Sequence, residues 1–222
     1  MAQPSWSHTP PDTGTTIVAC AYPGGVVLGA DSRVSTGTYV SNRASDKLTP
    51  LAETAWLLRS GSAADTQLVA DYVRYFAQQH SLELGQAPDV STVARLVQTM
   101  NYNNKQMLVG AMIVAGYDKK AGGQVYGCPI GGTLVRENWT TDGSGSTFLW
   151  GFLDSAYRED MTREETEELV TNALALAMAR DGSSGGVARL VTISAAGTTR
   201  RMIKEDALPV GWDELGPAGV IV

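Results

Sequence analysis

The 222-residue chain is 43% hydrophobic and 18% charged, with a formal net charge of −6. That balance suits one domain with a sizeable core and argues against disorder. It also excludes the basic footprint of a nucleic-acid binder, since no Lys/Arg run appears. Cys20 and Cys128 are the only cysteines, too few for a disulfide framework and too scattered for a zinc site. They read as reduced thiols of a cytosolic or nuclear protein. No stretch approaches the roughly 20 apolar residues of a membrane span, and residues 1–14 lack the apolar core of a signal peptide. The Asn138-Trp139-Thr140 sequon is then without consequence.

Residues 1–14 are polar and proline-rich, a leader rather than a packed element. After Gly14 the pattern changes. Residues 16–22 are rich in strand formers, Pro23-Gly24-Gly25 reads as a tight turn, and 26–31 as the returning strand. Short strands are predicted around Lys47-Leu48 and over 55–58. A helix over 65–80 places Leu68, Val69, Tyr72, Val73 and Phe76 on one face, and a second over 91–107 does the same with Val93, Leu96, Val97 and Met100. Gly85 and Pro88 separate the two. Strands resume over 110–117 and 124–128, with another near 134–136. A helix is predicted over 146–157. The next starts at Thr162, where Glu165 three residues on completes a capping box. Gly185-Gly186 end it, and 187–194 reads as a last strand. Two sheets that each bury one face on the other, with helix pairs outside, satisfy this order: an α+β, four-layer αββα sandwich.

Chemistry follows by elimination. His8 lies in the leader and His80 ends an amphipathic helix, as a solvated surface histidine, so His-dependent nucleophiles are poorly supplied. No metal-ligand spacing and no phosphate-cradling Gly-x-x-x-x-Gly-Lys-[Ser/Thr] loop is present. A threonine at a free N-terminus needs no histidine, because its own α-amino group, with a pKa of about 8, can act as base. Gly14-Thr15-Thr16 stands where the leader meets the first strand. Gly14 leaves room for Thr15 to turn back on the preceding carbonyl. Alone, this triplet is equally a plain strand start. Asp31 with Lys47 forms either a buried pair favouring a threonine alkoxide or a surface charge pair. Gly61, before a helix, either points its N–H at an oxyanion or serves an ordinary capped helix start.

Several runs together resemble one family: Thr15-Thr16-Ile17, Gly29-Ala30-Asp31-Ser32-Arg33, Asp46-Lys47-Leu48, Ser60-Gly61-Ser62-Ala63-Ala64-Asp65, Gly143-Ser144-Gly145-Ser146 and Arg180-Asp181-Gly182-Ser183-Ser184-Gly185-Gly186. From Thr15 to about Ile203 the chain resembles a proteasome beta subunit, an N-terminal-nucleophile hydrolase. The resemblance implies a propeptide over 1–14 cleaved between Gly14 and Thr15, a catalytic domain over 15–210, and a C-terminal extension over 211–222 with no assigned role. It implies Thr15 as nucleophile, Lys47 tuning it, Asp31 holding Lys47, Ser144, Asp181 and Ser184 behind the amine, and the Gly61 N–H as oxyanion donor. All these positions carry the family's residue. That argues against a non-catalytic structural ring subunit, the alternative reading, which lacks the threonine. A simpler homomeric bacterial relative carries Gln where Arg33 stands and lacks the 180–186 run.

The resemblance also places Arg59 at the base of a specificity pocket walled by Val34, Ser45, Thr49, Ala63 and Gln67. A guanidinium there offers a planar fork to a carboxylate, implying cleavage after acidic residues, the caspase-like activity. The implied partners are other beta subunits in a seven-membered ring, alpha subunits in adjoining rings, and unfolded polypeptide. Neither nucleic acid nor membrane is a partner. The implied setting is ATP- and ubiquitin-dependent degradation in cytoplasm and nucleus, with no cofactor and no metal.

Overall fold

The computed structural model describes residues 14–209. The C-terminal extension and all of the leader except Gly14 lie outside them. In chain order the elements are β1 (Ile17–Tyr22), β2 (Gly25–Ala30), β3 (Val34–Thr36), β4 (Tyr39–Asn42), β5 (Leu48–Pro50), β6 (Ala55–Gly61), α1 (Ala63–Leu84), α2 (Val90–Asn103), β7 (Gly110–Asp118) and β8 (Gly122–Cys128). There follow β9 (Val135–Glu137), β10 (Trp139–Asp142), a 3-10 turn (Ser144–Phe148), α3 (Trp150–Ala156), α4 (Arg163–Arg180), β11 (Ala188–Ser194), β12 (Gly197–Ile203) and a short 3-10 turn (Glu205–Ala207).

Two five-stranded sheets form, ordered β10-β1-β2-β11-β12 and β5-β6-β7-β8-β9, with β3-β4 as a separate hairpin. All pairs are antiparallel. Alternation along each strand sends successive side chains to opposite faces. In β1, Ile17 and Ala19 face the second sheet, where they meet Trp56, Leu58, Ile113 and Val125. Val18 and Cys20 face Leu149, Leu153, Val170 and Leu174 of the helical layer. In β6, Trp56 and Leu58 face inward while Leu57 packs on Val69, Val73, Val93 and Val97 of α1 and α2. This is the expected αββα sandwich. Cys20 and Cys128 are buried free thiols, and burial pushes Cys20 up to about 12.

Several element boundaries differ from the sequence reading, each for a physical reason. α1 is longer than 65–80: Ser62 caps its start, accepting from the Asp65 N–H at 3.3 Å, and Gly85 ends it with φ 69°. Leu68, Tyr72 and Phe76 are exposed, and the buried face is instead Thr66, Val69, Ala70, Val73 and Ala77. Small alanines there let the helix lie close to the sheet. His80 is half-buried inside α1 rather than solvated at its end. α2 stops at Asn103, four residues short of the predicted end. The helix expected over 146–157 is split into the 3-10 turn and α3. β3, β4, β10 and β12 were not anticipated, so 187–194 is not the last strand. The capping box on α4 is present, with Thr162 and Glu165 bonded reciprocally.

One buried carboxylate joins two layers. Asp118 Oδ2 accepts from the Val90 N–H at 3.1 Å, at the start of α2, and from Gln124 Nε2 at 2.7 Å. Its Oδ1 accepts from the Lys120 and Ala121 N–H groups. Burial pushes this carboxyl up, but the four hydrogen bonds outweigh burial and hold it below its ordinary value. Asp118→Ala is expected to cost about 2 kcal/mol, since charged acceptors of buried N–H groups contribute most among hydrogen bonds. The wild-type increment should be present above the unfolded-state pKa of about 3.9 and disappear as pH falls through the lower folded value. Urea denaturation of both proteins at neutral pH and at about pH 3 checks this.

Candidate active site

The ladder between β1 and β2 places the first polar cluster. Ile17 pairs with Ala30, so the next step outward sets Thr16 beside Asp31, and the Asp31 N–H donates to the Thr16 carbonyl at 3.1 Å. The Asp31 side chain is fully buried. Its Oδ1 accepts from the Thr16 N–H at 2.9 Å and from Lys47 Nζ at 2.6 Å. Its Oδ2 accepts from the N–H groups of Arg33 and Gly185 at 3.1 and 3.0 Å. Lys47, just ahead of β5, is also buried, at 5% exposure. Burial pulls its ammonium below the ordinary lysine range, and the Asp31 charge opposes that pull.

Lys47 has a second partner. Nζ donates to the Gly14 carbonyl at 2.9 Å, and the Thr15 hydroxyl donates to the same oxygen at 2.6 Å. Gly14 reaches this position at φ 126°. A Cβ there would lie 2.6 Å from the Ser183 carbonyl and 2.7 Å from Ser183 Cβ, so only glycine fits.

A second cluster closes on the other side of Thr15. The Thr15 N–H donates to Ser144 Oγ at 3.2 Å. Ser144 and Ser184 both donate to Asp181 Oδ2 at 2.6 Å. Asp181 is the C-cap of α4, and its Oδ1 takes the Ser183 N–H, tightening the turn. Two contributors were not anticipated from sequence. Thr16 Oγ1 lies 2.7 Å from Ser184 Oγ, and the Gly145 N–H donates to the Thr15 carbonyl at 3.1 Å. The Gly143-Ser144-Gly145-Ser146 spacing was the signal for the latter, since a second side chain at 145 would strike Thr16 Oγ1.

Thr15, Lys47, Gly61 and Arg59 line one small cavity of about 30 Å³ together with Gly14, Val34, Ser45, Ala63 and Thr66. Larger cavities of about 550, 520 and 720 Å³ lie elsewhere, so convergent polar groups, not size, mark this site. Arg59 is half-buried. Its Nε donates to Thr49 Oγ1 at 3.0 Å, Nη2 to the Asp46 carbonyl at 3.2 Å, and Nη1 to Thr66 Oγ1 and the Ala63 carbonyl at 3.4 Å. Burial pulls the guanidinium below its ordinary range, with Asp46 and Asp71 opposing. Of the expected pocket walls, Val34, Ser45 and Ala63 line the cavity, whereas Thr49 and Gln67 do not: Thr49 is taken up as the acceptor of Arg59 Nε, Gln67 is exposed on α1, and Thr66 lines the cavity instead. With the helix capped at Ser62, position 66 is the one that turns inward, its hydroxyl donating to the Ser62 carbonyl at 2.9 Å. Among the described residues no cluster of three or more metal-ligating side chains occurs.

Comparison with known proteins bears on this geometry. The family model described as "Proteasome subunit" matches residues 11–193. The chain belongs to the proteasome beta-subunit family. It is 52% identical over 208 residues to proteasome subunit beta type-6 of Arabidopsis thaliana, covering 94% of this chain and 89% of that relative. It is 49% identical to beta type-6 of Dictyostelium discoideum, covering 96% and 100%. It is 50% identical to beta type-9 of Mus musculus bactrianus, covering 91% and 92%. The αββα sandwich is thus the N-terminal-nucleophile hydrolase fold of this family.

The buried pair makes an asymmetric prediction for stability. Asp31→Ala leaves the Lys47 ammonium buried without its counter-charge, and should cost about 3–5 kcal/mol. Lys47→Ala should cost less, because three backbone N–H groups still satisfy Asp31. Urea denaturation at pH 7 of the two variants checks the order.

Proposed function

We propose that this chain is a catalytically active threonine endopeptidase subunit of the proteasome core, with Thr15 as nucleophile after removal of residues 1–14. The observation that carries the reading is the convergence of the Thr15 hydroxyl and the Lys47 ammonium on the Gly14 carbonyl oxygen. A cation on that oxygen polarises the carbonyl toward attack by the neighbouring hydroxyl. In self-cleavage, Thr15 Oγ1 adds to the Gly14 carbonyl carbon, and the carbon–nitrogen bond breaks with the nitrogen taking a proton. Water then hydrolyses the resulting ester, leaving a Gly14 carboxylate, a free Thr15 hydroxyl and a free α-amine.

In turnover the same groups act on substrate. The α-amine, beside Ser144 Oγ and backed by Asp181 and Ser184, takes the hydroxyl proton, directly or through a water. Lys47, held by Asp31, stabilises the developing alkoxide, and the Gly61 N–H serves the tetrahedral oxyanion. Gly61 has φ 89°, and a Cβ there would lie 2.7 Å from the Val109 carbonyl, so only glycine holds this backbone conformation beside the cavity.

Specificity is read from Arg59. Its hydrogen-bond acceptors are neutral oxygens, and among the described residues it forms no ion pair. A cation held by neutral groups at the base of a pocket selects a substrate carboxylate, so the proposed activity is cleavage after acidic residues. Gly14 is itself part of the cavity lining, so its departure enlarges the space a substrate side chain enters. The subunit would assemble with other beta subunits in a ring and with alpha subunits in adjoining rings, in cytoplasm and nucleus. Unfolded polypeptide would be its substrate.

Two experiments on assembled complex test the reading. Intact mass should show a chain beginning at Thr15. Thr15→Ala and Gly14→Val should each retain the leader, the first for want of a nucleophile and the second because its side chain displaces the junction from Ser183. A wild-type chain that keeps its leader indicates a structural ring subunit instead. Fluorogenic peptides ending in Glu, Asp, Leu or Arg should be cleaved fastest after Glu or Asp. Arg59→Ala should lower kcat/KM for acidic peptides by about tenfold or more while sparing neutral ones, as expected for loss of a partly desolvated charge contact. A wild-type preference for Leu or Arg overturns the pocket assignment and leaves the nucleophile intact.

A further inference from the structure

The residue that seats Arg59 carries a negative charge of its own. Asp46 offers its carbonyl to Arg59 Nη2, and of the carboxylates around Arg59 it acts most strongly, ahead of Asp71. Yet the Asp46 carboxylate is engaged elsewhere. Its Oδ1 accepts the Leu48 N–H at 3.1 Å, and its Oδ2 accepts Arg200 Nη2 at 2.6 Å. Arg200 comes from β12, the outermost strand of the first sheet. Its guanidinium lies 5.2 Å from the centre of the Trp56 ring on β6 of the second sheet. One side chain therefore links the edge strand of the first sheet to β6 of the second and to the segment just ahead of β5 that seats Arg59.

A half-exposed ion pair of this kind adds little to stability. Its consequence is selective. A carboxylate tethered one residue from Lys47 has a high effective concentration at Arg59, well above that of a substrate in solution. If released, it would compete for the cation that reads the substrate.

We propose that Arg200 is a positioning residue for acid specificity: it holds the Asp46 carboxylate away from Arg59, so that the Arg59 charge is left for the substrate. The proposal rests on the post-acidic reading of the pocket.

The test uses assembled complex and compares KM and kcat for a peptide ending in Glu with those for one ending in Leu. Arg200→Met keeps an apolar stem over Trp56 and removes the charge. It should raise KM for the Glu peptide about fivefold, the upper range for a half-exposed charge pair, with kcat within about twofold and the Leu peptide unchanged. Arg200→Lys should restore most of the loss. So should Asp46→Asn placed on Arg200→Met, because the competing charge is then absent. Asp46→Asn alone should keep or sharpen acid preference, which decides the matter even where Arg200→Met fails to assemble. Equal losses for both peptides, unchanged acid preference in Arg200→Met, or lost acid preference in Asp46→Asn overturns the role of Arg200 and leaves the post-acidic reading standing. A wild-type complex without acid preference overturns both.

Discussion

The site depends on one buried charge being satisfied from four directions. Asp31 is fully buried and would be too costly there as an isolated carboxylate. It is tolerated because Lys47 and the backbone N–H groups of Thr16, Arg33 and Gly185 converge on its two oxygens. Those donors come from the residue just ahead of β1, from the turn after β2, from the segment before β5 and from the loop after α4. Satisfying one side chain therefore draws three distant parts of the chain to Asp31 and its own turn, and the same requirement delivers Lys47 to the Gly14 carbonyl. The structural demand on Asp31 is thus the one that the proposed chemistry would also make.

A second acidic residue performs the matching task on the opposite side of Thr15. Asp181 ends α4 and gathers Ser144, Ser183 and Ser184. Thr16 connects this network to the first: its N–H binds Asp31 and its hydroxyl meets Ser184. Glycine makes the proximity feasible. At Gly14 the backbone passes so close to Ser183 that a side chain has no space. At Gly185, which donates its N–H to Asp31, a Cβ would run into the Arg33 guanidinium. Tight backbone approach of this sort holds neighbouring groups rigidly, which is what the proposed intramolecular attack would need.

Much of the architecture was legible where burial imposes a strict pattern. β1, β2, β7, β8 and β11 are buried on both faces, so they read as apolar runs bounded by turn residues. β12, as Gly-Thr-Thr-Arg-Arg-Met-Ile, is almost wholly exposed at a sheet edge and carries no such signal. β3, β4 and β10 are short and carry little more. On α1 two apolar stripes compete, one through Leu68, Tyr72 and Phe76 and one through Val69 and Val73. Periodicity alone favoured their union, whereas packing against β6 and β7 chose the stripe lined with alanine and threonine. The same rotational choice exposes Gln67 and brings Thr66 to Arg59.

By itself the sequence determined that a glycine-threonine junction precedes a strand and that histidine and metal chemistry are poorly supplied, while its resemblance to a family directed attention to Asp31, Lys47, Arg59, Gly61, Ser144, Asp181 and Ser184. Those conclusions rest on residue type and order, which do not change on folding. Tertiary structure alone decided which oxygen Lys47 touches, which face of α1 looks into the pocket, and that Arg200, more than 150 positions along the chain, reaches Asp46. Each is a contact between segments remote in sequence, set by sheet order and helix rotation. No local pattern encodes where two such segments meet.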